Sequence, residues 1–185
     1  RERERERERT RHCHFKQKRM GALMKLIDAV LFLFFMVIAV VAPLIDAQTC
    51  LPAELFPDFL VDLKLWYTRE YGDYLVLEKP DFFVGIVWLE LFFQWPLSIV
   101  NLYGIAAGKS WFNTTCLVYG ASTFTAMAAI LAELIGSRKA SDKLLMMYSP
   151  FMGFAVLAIL RGLLPHSGKT STIGKRPALN RKKKA

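Results

Sequence analysis

Glu90 and Gln94 stand four residues apart inside an apolar run, with Pro96 just beyond them. Residues at i and i+4 share a helix face, so a carboxylate and an amide would lie side by side. Pro96 has no backbone N–H and kinks a helix at that point, widening the space beside the pair. An ionisable side chain within a membrane span costs about 2.5–3.5 kcal/mol on insertion scales, and such residues face a bundle interior and mark function. Other polar groups converge on the same depth: Asp46 close to Pro43, Thr123 and Thr125 in mid-run, Glu133, and Tyr148 beside Ser149 and Pro150. The plainer role for Glu90 and Gln94 is interhelical hydrogen bonding, worth around 0.6 kcal/mol. A cavity is favoured because Asp46 and Glu90 would need separate partners and no intramembrane Lys or Arg stands ready to neutralise them. The simplest arrangement keeps Glu90 neutral and donating to a charged Asp46 near the rim. Aromatic and aliphatic walls with one carboxylate suit a lipophilic amine, or a sterol with one hydroxyl. Tyr67, Trp88 or Tyr148 would add cation–π contacts to an amine.

The elements that position these groups are read from hydropathy. The chain has 185 residues, 54% hydrophobic and 22% charged, with mean hydropathy +0.27. Near-unbroken apolar runs cover about 26–45, 82–107, 111–135 and 144–164, each near the ~20 residues a helix needs to cross a bilayer. Soluble globular and disordered chains are excluded. The expected fold is all-α: a polytopic membrane protein whose domain, residues 20–164, holds four transmembrane helices. The first run is longer than the ~7–15 residues of a signal-peptide core, so it reads as a retained span. Glu90 lies eight residues into the second, roughly 12 Å from its start at ~1.5 Å per residue. Loop 46–81 is long and aromatic, and Leu51, Leu55, Phe59, Leu63, Trp66 and Tyr67 recur at helical spacing. Short amphipathic helices capping the bundle at the membrane interface are expected there. Gly108-Lys109-Ser110 makes spans 2 and 3 an antiparallel hairpin.

Charge sets the expected orientation. The segment from Arg161 onward holds eight Lys/Arg and no acid, whereas loop 46–81 holds eight acids against three bases. The positive-inside rule then puts the 165–185 tail, and with four spans both termini, in the cytosol and loop 46–81 in the lumen. Arg138, Lys139 and Lys143 in the short third loop argue the other way and are outvoted. Asn113-Thr114-Thr115 has the glycosylation pattern but falls on the cytosolic side, so it should stay bare. The end, Lys182-Lys183-Lys184-Ala185, has the K-K-x-x form by which coat proteins return cargo to the endoplasmic reticulum; the alternative is a basic tail resting on anionic lipid. Residues 1–19 open with an Arg-Glu repeat. They could form a charged helical arm, but they are set apart as a disordered or non-native extension ahead of Met20. Cys13, Cys50 and Cys116 are an odd, scattered set, neither a disulfide framework nor a zinc site. His12 and His14 lie in that extension and His166 in the tail, so no histidine can do chemistry inside the membrane. No metal, cofactor or nucleic-acid partner is expected. The absence of an internal repeat and of a polar stripe across the full width disfavours a channel or transporter.

Several motifs, in order, look familiar: Asp46-Ala-Gln-Thr-Cys-Leu-Pro52, Glu54-Leu-Phe-Pro57, Leu65-Trp66-Tyr67, Asp73, Glu90-Leu-Phe-Phe-Gln94 with Pro96, Tyr148-Ser-Pro150 and the lysine-rich end. From Met20 onward they resemble the sigma-2 receptor (transmembrane protein 97) family of EXPERA membrane domains, to which the sterol isomerase emopamil-binding protein is related. The resemblance implies a four-helix endoplasmic reticulum protein, often dimeric, that binds sterols and cationic amphiphiles in an occluded pocket. It makes Asp46 the counter-ion and Glu90 its protonated partner, with Asp73 steadying the site. Gln94, Tyr67, Thr123, Tyr119 and Tyr148 would line or support it, and Lys182 and Lys183 would serve retrieval. Where the family pattern has a second tyrosine in span 4, this chain has Phe151, removing one polar contact. Partners in cholesterol trafficking are implied as well. Two functions follow: a non-enzymatic binding protein regulating sterol homeostasis or trafficking, and a sterol double-bond isomerase, which needs an acid and a base. The first is favoured because no intramembrane histidine exists, although Glu90 with Asp46 could supply both groups in principle.

Overall fold

In lipid every backbone N–H and C=O must be paired within the protein, which leaves helices as the way for apolar runs to cross. The computed structural model describes the backbone of residues 2–164 and side chains from Met20 onward. It is an all-α chain with four helices long and apolar enough to cross a membrane: Met20–Thr49, Asp81–Ala106, Phe112–Gly136 and Asp142–Leu163. The elements are α1 (Glu2–Leu44), α2 (Asp58–Tyr71), α3 (Tyr74–Glu78), α4 (Asp81–Leu89), a π-helical turn (Glu90–Gln94), α5 (Trp95–Ala106), α6 (Phe112–Gly136) and α7 (Asp142–Leu163). Two 3-10 turns, Asp46–Thr49 and Ala53–Leu55, link α1 to α2. The backbone of the charged repeat is helical from Glu2. The tail, with Lys182, Lys183 and His166, lies outside the described residues.

Chain breaks fall where local chemistry puts them. Gly72, at φ 63°, ends α2 in the left-handed region that glycine tolerates. Pro57 and Pro80 stand just ahead of α2 and α4. Ser141 caps α7, its hydroxyl accepting from the Leu144 N–H at 3.1 Å.

α6 and α7 pack with their backbones almost touching. A Cβ placed on Gly120 would sit 2.8 Å from the Ile159 nitrogen, and one on Gly162 would sit 2.7 Å from the Asn113 carbonyl oxygen. Small residues at such a seam let helices associate in lipid, where no hydrophobic force drives them together. α1 then closes the bundle through aromatic rings. Phe34 stacks on Phe154 at 4.6 Å, and Phe35 meets Tyr119 edge-on at 4.9 Å.

At the end bearing loop 46–81, the short third loop is clasped to the long one. Lys139 pairs with Glu78 at 3.0 Å and Lys143 pairs with Glu70. Tyr74 joins Ser137 at 2.8 Å and donates to Glu133 at 3.3 Å. Two of the bases that argued against the expected orientation are thus matched by acids of the long loop on the same side. α2 turns Leu60 and Thr68 inward, while Phe59, Leu63 and Trp66 face outward, forming an apolar stripe on the outside. Such a stripe suits the membrane interface.

The opposite end corrects two expectations. Arg161, counted above with the basic tail, lies inside α7 and is only 3% exposed. It forms an ion pair with Asp28 of α1, its Nη2 reaching Oδ2 at 3.2 Å, and its Nη1 donates to Asn113 Oδ1 at 2.9 Å. An intramembrane Arg therefore does exist, but Asp28 already neutralises it. Asn113, the sequon residue, also donates to the Leu164 carbonyl at 2.7 Å and so ties α6 to the end of α7.

Arg161→Met is expected to cost about 3 kcal/mol, because the partly buried Asp28 is left without its partner. The Asp28→Asn, Arg161→Met double variant should recover most of that. Melting curves of the detergent-solubilised proteins check this; a double variant as unstable as the single one refutes the ion-pair account. Gly120→Val is expected to destabilise by about 1–3 kcal/mol through overpacking. Gly153→Val should be near neutral in the same assay, since a Cβ there meets open space.

Candidate binding cavity

Span 2 changes its winding where its polar residues lie. Pro96 offers no N–H, and the preceding Trp95 N–H donates to Glu90 O, five residues back. This π-helical turn fits one extra residue into the helix, a device found often at functional sites. Glu90 opens the turn and Gln94 closes it, and both line one cavity. Gln94 is 4% exposed and held on both sides of its amide: Nε2 donates to Ser122 Oγ at 3.0 Å, and Thr123 Oγ1 donates to Oε1 at 3.3 Å.

Asp46 comes from the other side, as the first residue of the 3-10 turn after α1. Gln48 fixes that turn, its Nε2 donating to the carbonyls of Leu44 at 2.7 Å and Leu60 at 3.2 Å. The end of α1 and the start of α2 are thereby pinned together around the carboxylate.

The cavity has a volume of about 100 Å³. Asp46, Glu90, Gln94, Tyr119, Thr123 and Tyr148 line it, six of the eight residues singled out from sequence. Its apolar walls are Phe34 and Ile38 of α1, Phe83, Ile86 and Val87 of α4, Ala126, Met127 and Ile130 of α6, and Phe151 of α7. No hydrogen bond joins Asp46 to Glu90 among the described residues, so the direct contact expected between them is replaced by a shared cavity.

Asp73 and Tyr67 lie behind this lining. Asp73 is fully buried at the N-terminus of α3. One carboxylate oxygen accepts from the Leu75 and Val76 N–H groups at 3.1 and 3.2 Å. The other accepts from Tyr67 Oη at 3.1 Å and from Tyr148 Oη at 2.8 Å. Four donors fill the acceptor capacity of a carboxylate, so Asp73 holds the loop helices over α7 and has little left for a ligand. Burial, with the Asp73 carboxylate beside it, raises the Tyr67 phenol above its usual pKa, keeping it a donor. Trp88 stacks on Phe92 at 5.2 Å and does not line the cavity. Thr125 bonds its own helix at the Ala121 carbonyl and is exposed. Neither offers what its depth in the sequence promised.

Sequence reasoning passed over Ser122, Gln48 and the half-buried Lys64, whose Nζ reaches Thr49 Oγ1 at 3.5 Å. A serine or glutamine in isolation carries no signal, since its role depends on a neighbour brought in by folding. Asn101 of α5 is fully buried with neither amide atom bonded to protein, and it lies outside this lining. No cluster suited to a metal ion occurs among the described residues. What remains is an apolar-walled space with two carboxylates, three hydroxyls and a fixed amide in its lining. It can receive an amphiphile by its polar end.

Comparison with known proteins agrees with this architecture. The chain is 29% identical over 154 residues to the Sigma intracellular receptor 2 of Xenopus tropicalis, an alignment taking in 76% of this chain and 90% of that relative. The Homo sapiens protein of the same name is 30% identical over 110 residues, 59% of this chain and 62% of that one. The Macaca fascicularis protein is 33% identical over 91 residues, 49% and 52% respectively, so under two thirds of these two relatives is matched. The family EBP: EXPERA (EXPanded EBP superfamily) matches residues 59–162, from the start of α2 to the last turn of α7. With more than half of its length inside that match and four apolar helices to cross a membrane, the chain belongs to the EXPERA superfamily of membrane proteins.

Proposed function

We propose that the protein binds sterols and lipophilic amines in its intramembrane acidic cavity and, as a receptor-like binding protein rather than an enzyme, regulates sterol homeostasis or trafficking. The observation that carries this reading is that Asp46 and Glu90 face one apolar-walled space inside the bundle. In hydrocarbon surroundings two neighbouring acids hold a single negative charge more readily than two. Asp46 is the counter-ion for an ammonium, and Glu90 in its neutral form donates a hydrogen bond. Tyr148 and Thr123 offer hydroxyls to a sterol's oxygen, Tyr119 packs on the ligand body, and Gln94 keeps the wall in shape. Asp73 and Tyr67 position rather than bind. Ligand sites usually measure ~300–1,000 Å³, so a sterol enters only if the cavity widens.

The relatives' name, a receptor, supports the choice of binding over catalysis. An endoplasmic reticulum location with both termini cytosolic rests on the basic tail and the Lys182-Lys183 motif. Homodimers and sterol-trafficking partners belong to the same reading. The isomerase reading draws on the family's EBP designation and on the two facing carboxylates. It needs one group to give a proton and another to take one.

Equilibrium binding of a tritiated lipophilic tertiary amine to the purified full chain tests the proposal. Asp46→Asn is expected to lose about 2–5 kcal/mol of affinity, thirtyfold or more, as when one partner of a buried charge pair is truncated. Glu90→Gln, which keeps a donor, should lose much less. No saturable binding to the folded wild-type protein refutes the reading. Conversion of a labelled unsaturated sterol to its double-bond isomer, abolished in Glu90→Gln, would establish the isomerase instead. Asp73→Asn is expected to lower the melting point by the equivalent of about 1–3 kcal/mol as its tyrosine bonds weaken. Amine affinity should fall with it, whereas Asp46→Asn should leave the melting point near wild type.

A further inference from the structure

We infer that Lys64 is a resident ammonium beside the Asp46–Thr49 turn that borders the cavity, opposing amine ligands at Asp46 and biasing the site toward neutral, hydroxylated lipids. This rests on the cavity reading above and adds a determinant of ligand class. Lys64 lies in α2, pinned over the Asp46–Thr49 turn by the Gln48 bond to the Leu60 carbonyl. Its Nζ reaches Thr49 Oγ1 at 3.5 Å. Side chains three residues apart eclipse one another in a 3-10 turn, so Asp46 and Thr49 share the face that the Lys64 side chain approaches.

A hydrogen bond of that length is weak and leaves the cation poorly satisfied. Two other bases on this end of the bundle, Lys139 and Lys143, pair with Glu78 and Glu70 at the surface. Lys64 has no carboxylate within ion-pair distance among the described residues, although its side chain is half-buried. The charged and titratable groups whose electrostatic influence reaches it are Asp46, Cys50, Asp73 at the start of α3, and Lys79 at its end. Burial, and then Lys79, lower its ammonium to about 8, while Asp46, Cys50 and Asp73 pull the other way.

An amine bringing its own positive charge to Asp46 is repelled by this nearby ammonium unless it drives off the lysine's proton. A sterol hydroxyl brings no charge and meets no such opposition. Because amine binding favours the neutral lysine, it releases a proton, and amine affinity must climb as pH rises through about 8.

The test uses the full chain in lipid nanodiscs, as wild type, Lys64→Met and Lys64→Arg. The probes are tritiated cholesterol and a tritiated tertiary amine as basic as a free lysine. Lys64→Met should bind the amine on the order of tenfold more tightly at neutral pH, with the rise between about pH 7 and pH 9 abolished. Lys64→Arg, charged throughout that range, should bind the amine weakly with no rise. Cholesterol affinity should change by less than about twofold in both variants, since no charge is brought to the site. Unchanged amine affinity and pH slope in Lys64→Met overturns the inference, as does weaker amine binding in that variant. Failure of all three folded proteins to bind either probe instead overturns the cavity reading, and this inference with it.

Discussion

Asp73 is the point on which the arrangement of the site depends. A buried carboxylate is tolerated only when its oxygens are fully engaged, and this one accepts from two backbone N–H groups and two phenols. Those four bonds start α3, fasten α2 through Tyr67 and hold Tyr148 of α7 in place. The loop helices and the fourth span therefore share one anchor. The turn carrying Asp46 is fastened to α2 by Gln48, so its position depends on the same anchor at one remove.

Two kinds of polar group coexist in this bundle. At the end away from the loop helices, Arg161, Asp28 and Asn113 satisfy one another and the end of α7. At the centre, Gln94 is held by Ser122 and Thr123. Asp46 and Glu90 differ: each faces the cavity, and no ion pair links either to another side chain among the described residues. A low dielectric makes an unmatched charge costly.

Much of this was legible in the residue order, for identifiable reasons. A membrane span is a one-dimensional object: depth follows from counting at 1.5 Å per residue, and a carboxylate at depth stands out against leucine. Asp46, Glu90, Gln94, Thr123 and Tyr148 were recoverable in that way, and Tyr119 only through the family resemblance. Which face a residue occupies and what it meets across the bundle were not. Thr125 has nearly the depth of Thr123 but points elsewhere. Arg161 reads as the first charge of a basic tail until Asp28, 133 residues earlier, is seen beside it. The third-loop lysines read as cytosolic votes until Glu70 and Glu78 are found opposite them. The α2 stripe of Phe59, Leu63 and Trp66 is the exception: its helical spacing implies an amphipathic helix at the membrane interface, and the stripe does face outward.

The close seam between α6 and α7 also sets how such a sequence can drift. Any side chain larger than hydrogen at Gly120 or Gly162 pushes two backbones apart, and the Thr123 wall moves with them. Mutations that reshape the cavity by way of that seam carry a folding penalty before they alter ligand choice. The α1 and α4 walls, meeting their neighbours through side chains such as Phe34, Phe83 and Ile86, can exchange one apolar shape for another of similar volume at small cost. Change of cavity shape in a bundle built this way is channelled to one side, while the other side stays constant as a template.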